Sequence, residues 1–188
     1  ERRELHDHAE SVPVSRPGPL AGSRPHHLPV GLREFRPEVV VTHDAYGGLT
    51  GHPDHVHTHR VTMLAVQAAG LERLYPDAGE PWQPSALYLA SHPHSAIREW
   101  GGHVATMGKA MHTVPDEWIT ATVDVSPWLE QKVAAVLAHR TEVVRGAAPG
   151  LIAGLPAADR RRLLATEWYI RHDPASTAAA HTELVAGT

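Results

Sequence analysis

The sequence contains no cysteine. Disulfides are thereby excluded, as are zinc sites built on thiolates, so any metal must be held by histidine and carboxylate ligands. It has one phenylalanine and few aromatics overall. It has no apolar run of transmembrane length and no signal-peptide pattern. A cytoplasmic location is the expectation, with no membrane partner. Basic residues are scarce and scattered, 17 Lys and Arg against 21 Asp and Glu. No basic stripe marks a nucleic-acid surface. Histidine, by contrast, is abundant, with 16 in 188 residues. The length suits one domain with a core of its own. The chain opens on Glu1 within a charged, half-finished helical pattern. It reads as lacking its natural start.

Five prolines between Pro13 and Pro29 make residues 1–30 a loop-rich lead-in, followed by a short helix from Pro29 to Phe35. Val39-Val40-Val41 is a β-branched run suited to an interior strand of a parallel sheet. A loop with Gly47, Gly48 and Gly51 follows, and then a helix start at His52-Pro53-Asp54-His55. Proline is favoured at the first helical position and a carboxylate suits the first turn. The helix is apolar on most sides from Val61, which predicts burial. Ala86 to Ala90 reads as the next strand, giving a β-α-β unit. Trp118 to Val125 looks extended. Ser126-Pro127 looks like a helix start, with Leu129, Val133, Val136 and Leu137 on one stripe. A shorter helix over Ala157–Thr166 and an edge strand over Glu167–Arg171 follow. Residues 175–188 read as a loose tail.

The loop and helix start lie at the carboxyl end of a strand, where open α/β sheets bind ligands. His55 and His59 share a helix face, so two readings stand: a metal pair or solvated surface residues. A zincin site needs Glu beside its first histidine, and Val56 is there instead. The glycines do not have dinucleotide-binding spacing. His92-Pro93-His94 ends the second strand and reads as a turn or a pocket wall. Asp116-Glu117 reads as a solvated turn. No nucleophile elbow surrounds Ser91 or Ser95, which leaves a serine hydrolase as a weak alternative.

The stretch from Arg36 to Thr42, then Gly47-Gly48, then Gly51-His52-Pro53-Asp54-His55, resembles the second motif of the LmbE-like (PIG-L) zinc N-deacetylases. Ile119 to His139, with Lys132 and His139, resembles that family's C-terminal region. The branch it looks most like deacetylates an N-acetylglucosaminyl-inositol in mycothiol biosynthesis. The resemblance implies an α/β fold, a Rossmann-like parallel sheet flanked by helices, of which residues 1–188 would be the C-terminal part. It implies Zn2+ as cofactor and a small amino-sugar substrate, and it leaves oligomeric state open. Carried over by position, His55 is a metal ligand, His52 a catalytic acid or stabiliser, and Asp54 its orienting carboxylate. The family's upstream Ala-His-Pro-Asp-Asp-Glu-like motif has no counterpart, His6-Asp7-His8 being the only early cluster. Thr50 stands where the mycothiol-type enzymes carry Tyr, and Tyr46 is the substitute expected at the oxyanion. Thr50 and His94 are the expected substrate contacts. The alternatives are a non-catalytic remnant and an amidase acting on mycothiol conjugates.

Overall fold

A computed structural model describes residues 27–98 and 111–173. The early His6-Asp7-His8 cluster, most of the expected lead-in and the expected tail lie outside the described residues. Four strands, β1 (Val39–His43), β2 (Ala86–Ser91), β3 (Ala121–Asp124) and β4 (Thr166–His172), form one sheet in the order β1-β2-β4-β3. β1 and β2 are parallel, with Val40 opposite Leu87. The other two pairings are antiparallel. The sheet is therefore mixed.

Helix α1 (His27–Phe35) begins inside the expected lead-in, with Pro29 in its first turn. Helix α2 runs from Pro53 to Ala69, and His52 is its N-cap, as the Pro53-Asp54 pair predicts. Gly70 ends it. Thr62, Ala65, Val66 and Ala69 are its buried residues, a single i, i+3, i+4, i+7 stripe. Val61 and Leu64 are exposed, which corrects the expectation of burial on most sides. Ala65, Val66 and Ala69 pack with Leu32 of α1, and Val40 of β1 packs against this cluster.

Two strands are placed differently from their expectation. β1 is an edge strand among the described residues, paired only with β2, and Val39 and Val41 are 51% and 56% exposed. A β-branched run suits either place; what decides is which strands are available to pair, and that is a non-local matter. β4 is interior, between β2 and β3, where an edge was expected. The β3 strand begins at Ala121, because Asp116–Trp118 forms a 3₁₀ turn. Ser126 likewise opens a 3₁₀ turn instead of capping with its side chain, and α3 proper spans Leu129–Leu137 with Leu129 and Val133 buried. Three short helices follow: α4 (Arg140–Val144), α5 (Ala148–Gly154) and α6 (Ala157–Leu164). Among the described residues no helix is long and apolar enough to cross a membrane.

A buried cation fastens α1 to the end of α2. Arg33 is 4% exposed and donates to four carbonyls: Nε to Ala69 at 3.0 Å, Nη1 to Tyr75 at 2.8 Å and Gly79 at 3.1 Å, and Nη2 to Leu71 at 2.7 Å. The guanidinium fork suits this divergent set of acceptors, and an ammonium would not span them. Arg33→Met should destabilise by roughly 3 kcal/mol, because it strands buried acceptors. Arg33→Lys should recover little of that. Urea denaturation of both variants checks this, and a Lys variant as stable as the parent would show that the fork is not what matters.

Candidate functional site

The loop from His43 to His52 is held by its own backbone. The Asp44 amide donates to the Ala90 carbonyl at 3.3 Å, tying the loop to the end of β2. The buried Asp44 carboxylate accepts from the Gly48 amide at 2.9 Å. Gly47 has φ +78°, and a Cβ there would lie 2.7 Å from Val56 Cγ2 and 2.8 Å from its amide nitrogen. Glycine is thus required twice over, for conformation and for closeness to α2. That close approach brings the Gly47 carbonyl to His55 Nδ1, at 3.1 Å. With Nδ1–H donating there, His55 Nε2 keeps its lone pair for another partner, which is the arrangement metal-binding histidines use.

A second ring lies on the first. His43 and His55 stack with centroids 4.0 Å apart and planes 6° from parallel. Burial holds His43 below the ordinary imidazole value, His55 adds to this, and Asp44 opposes it. His59 is one turn beyond His55 and turns to the backbone instead, its Nδ1 2.8 Å from the His43 carbonyl. His55 and His59 are thus committed to different partners.

His52 is exposed and is not part of the cavity lining that includes His55, though its ring centroid is 5.3 Å from that of His55. Its Nδ1 accepts from the Asp54 amide at 3.2 Å, which caps α2. The Asp54 carboxylate is 3.8 Å from the same nitrogen and 89% exposed. The two contacts need opposite protonation of Nδ1. In the neutral ring the cap bond takes the Nδ1 lone pair and puts the proton on Nε2.

A cavity of about 480 Å³ opens against this cluster, lined by His43, His55, Thr50, Ser91 and His92 on one side. Tyr46 is not in its wall: it is half exposed and stacks on His112 at 5.3 Å. His94 is also outside, with its Nδ1 2.7 Å from Thr113 Oγ1. The wall position belongs to His92, which the sequence reading passed over for its neighbour. Asp116, read as a solvated turn, accepts from the Ser95 amide at 3.0 Å, and that bond holds its carboxyl below the usual range.

The far wall carries Glu167 and Tyr169, which sequence reading missed as site residues, and Lys132, named there only as part of the family-like stretch. Lys132 Nζ is 2.7 Å from Glu167 Oε1 and donates to the Leu164 carbonyl at 2.9 Å. Tyr169 donates its hydroxyl to Glu167 Oε2. Burial pushes Glu167 up, but the bonds from Lys132 and Tyr169 outweigh it and leave the carboxyl below its ordinary value. Burial and the Glu167 bond push Tyr169 up to about 12. His139, which shares the family-like stretch with Lys132, is the exposed N-cap residue of α4.

Gly47→Ala should cost roughly 2–4 kcal/mol from left-handed strain plus overlap with Val56. Thermal or urea unfolding reads this, and a loss under about 0.5 kcal/mol, the range of ordinary surface changes, would show the loop is not pressed on the helix as described. A second expectation concerns pH. Burial holds His92 below 6.5, the Asp44 carboxylate opposing it and the Lys132 ammonium reinforcing it. Below 6.5 the unfolded chain takes up a proton that the folded one does not, so stability falls as pH drops from there toward the lowered folded value. Above 6.5 this group contributes no slope. His92→Gln should flatten that part of a urea-midpoint profile; an unchanged slope would assign the titration to another group.

No family model matches the chain. Curated relatives named 1D-myo-inositol 2-acetamido-2-deoxy-alpha-D-glucopyranoside deacetylase do. That of Rhodococcus jostii is 41% identical over 121 residues, 60% of this chain and 40% of the relative. That of Geodermatophilus obscurus is 35% identical over 155 residues, 76% of this chain and 51% of the relative. Deacetylase 1 of Frankia casuarinae is 35% identical over 173 residues, 83% of this chain and 55% of the relative. Among solved structures, the 4-carboxy-2-hydroxymuconate hydratase of Pseudomonas putida aligns with a TM-score of 0.40 at 19% identity, over 86% of this chain and 60% of that one, and nothing rests on so slight a likeness. The chain is by sequence a relative of the 1D-myo-inositol 2-acetamido-2-deoxy-alpha-D-glucopyranoside deacetylases, and it spans about half the length of those it matches.

Proposed function

We propose that the protein hydrolyses the N-acetyl amide of an amino sugar, an N-acetylglucosaminyl-inositol or a related glucosaminide, as an LmbE-like zinc enzyme. The supporting observation is His55: its Nδ1 is fixed by the Gly47 carbonyl at 3.1 Å, and its ring lines the cavity. For a deacetylase, a ring so oriented has an evident use. A bound zinc would lower the pKa of its water and polarise the amide carbonyl. Of the described residues, His55 is the one the family motif offers as a ligand. The described residues hold no group of three or more His, Asp or Glu arranged for a metal. Zinc catalysis needs about three protein ligands, so the others, and the base, would have to come from outside the described residues.

This chain's own groups account for the rest of the chemistry. When neutral, His52 carries its proton on Nε2, because Nδ1 accepts the cap bond. That form presents Nε2–H as a hydrogen-bond donor toward charge developing on the substrate; the doubly protonated ring is the acid able to protonate a leaving amine. Asp54 sits close enough to stabilise the ring when it becomes doubly protonated. Thr50 lines the cavity and Tyr46 does not, which favours Thr50 as the substrate contact. The β1-α2-β2 unit, with β1 and β2 parallel and α2 packed on β1, supports reading the sheet as part of a Rossmann-like sandwich.

A second reading follows from the incomplete ligand set: a remnant that does no chemistry. Zinc content and amine release from N-acetylglucosaminyl-inositol, measured on the protein at its natural full length, separate the two. Under the deacetylase reading His55→Ala loses both. His52→Ala keeps zinc and loses ~10²–10⁴-fold in turnover. Asp54→Asn loses less, ~10–100-fold, because it acts through His52. Full activity in His52→Ala together with zinc loss in Asp54→Asn would show that the roles are misassigned. Zinc without amine release would favour the remnant, and release confined to mycothiol conjugates would favour the amidase.

A further inference from the structure

His55 needs more than one restraint to present Nε2 in a fixed direction. The terminal torsion of a histidine side chain is broad. A single hydrogen bond from Nδ1 leaves the ring free to tilt about the line to the Gly47 carbonyl. The second restraint is a ring face. His43 lies on His55 with centroids 4.0 Å apart and planes 6° from parallel. Contact over a whole face opposes the tilt that the hydrogen bond permits. His52, the other ring nearby, is 5.3 Å away and inclined by 46°, so it offers no such face.

His43 is well placed to serve as the platform. It is the last residue of β1, opposite Ala90 of β2, and its carbonyl is 2.8 Å from His59 Nδ1 on α2. The backbone thus settles where its ring stands. Among the described residues that ring makes no hydrogen bond, so what it gives His55 is its face. Both rings line the cavity.

We propose that His43 is a positioning residue, whose ring face holds the plane of His55 and so aims Nε2 into the cavity. The inference rests on the deacetylase reading for what Nε2 would hold, a zinc ion, and goes beyond it in naming the group that keeps the ligand aimed. A ring that lends its lone pair to a cation takes on part of the charge, which an aromatic face beside it favours. The role therefore needs a flat ring at position 43 and neither of its nitrogens.

Three variants of the protein at its natural full length separate face from nitrogen. His43→Phe keeps a flat ring without nitrogen, His43→Gln keeps a polar side chain without a ring, and His43→Leu keeps bulk with neither. Two quantities are measured. One is the zinc dissociation constant, by competition with a chelator. The other is the set of ring-nitrogen NMR shifts of His55 in the metal-free protein, assigned by their loss in His55→Gln. His43→Leu and His43→Gln should each weaken zinc binding ~10–100-fold, the range for partners that orient a ligand. Both should also move the His55 shifts from those of the Nδ1–H tautomer toward a mixture of tautomers. His43→Phe should bind zinc as the parent does and keep the parent's shifts. Should one of the two ringless variants fail to fold, the other gives the same reading. Parent-like binding and shifts in a folded ringless variant would overturn the proposal. So would a loss in His43→Phe as large as that in His43→Leu, which would assign the role to a nitrogen of His43. Should the parent bind no zinc, the zinc reading falls, and the His55 shifts of the metal-free proteins alone decide for or against the stack.

Discussion

The site depends on the closeness of Gly47 to α2. A left-handed residue with no Cβ lets the loop descend onto Val56, and the descent carries one carbonyl to His55. Everything else fastens that arrangement. Asp44 receives the Gly48 amide, and its own amide is bonded to β2. His59, from the same face of α2, holds the carbonyl of His43. The loop is therefore pinned to β1, β2 and α2 at once, and the orientation of His55 is a consequence of backbone geometry. A histidine fixed this way loses little rotamer freedom when it binds something, which is how preorganisation raises affinity.

The scaffold beneath is asymmetric. One face of β1 is covered: Val40 meets the α1–α2 cluster, and the Trp82 indole donates to the Pro37 carbonyl at 2.8 Å with Arg36 above its ring at 4.6 Å. The other face leaves Val39 and Val41 exposed. An apolar strand whose edge is unpaired and one face bare among the described residues is a surface that proteins normally cover. Stability on the covered side rests heavily on Arg33, since four carbonyls at and beyond the end of α2 share one cation.

The local features and the parallel β1-α2-β2 unit were legible in the sequence, and the antiparallel pairings were not. Pro53 and Asp54 announce the start of α2 because their preferences are local: a fixed φ and a charge at the positive end of a helix. The β-branched run over Val39–Val41 announces a strand, but nothing in it says whether a neighbour sits on both sides. Thr166–His172 is interior because β3 pairs with it across more than forty residues of sequence. His92 and His94 stand at one strand end. The choice between them was settled by the Pro93–Val114 bridge and the Thr113 contact, both contributed by a distant segment. Helix α5 has a proline and two glycines in seven residues and gave no periodic signal. Lys132 and Glu167 meet only because α3 packs near β4, so a pair central to the cavity wall was invisible as a pair.

That pair also bears on which group can take a proton. Glu167 is a carboxylate in the wall of a cavity, the usual profile of a general base. Burial alone would raise its pKa toward that role. Here one oxygen faces the Lys132 ammonium and the other receives the Tyr169 hydroxyl, so the net shift is downward. Tyr169, pushed up to about 12, remains a donor at neutral pH and does not release the oxygen it holds. A carboxylate with both oxygens engaged and a lowered pKa is a weak proton acceptor. Glu167 therefore serves as the rigid link between α3 and β4, shaping the cavity from which a base must be supplied by another group.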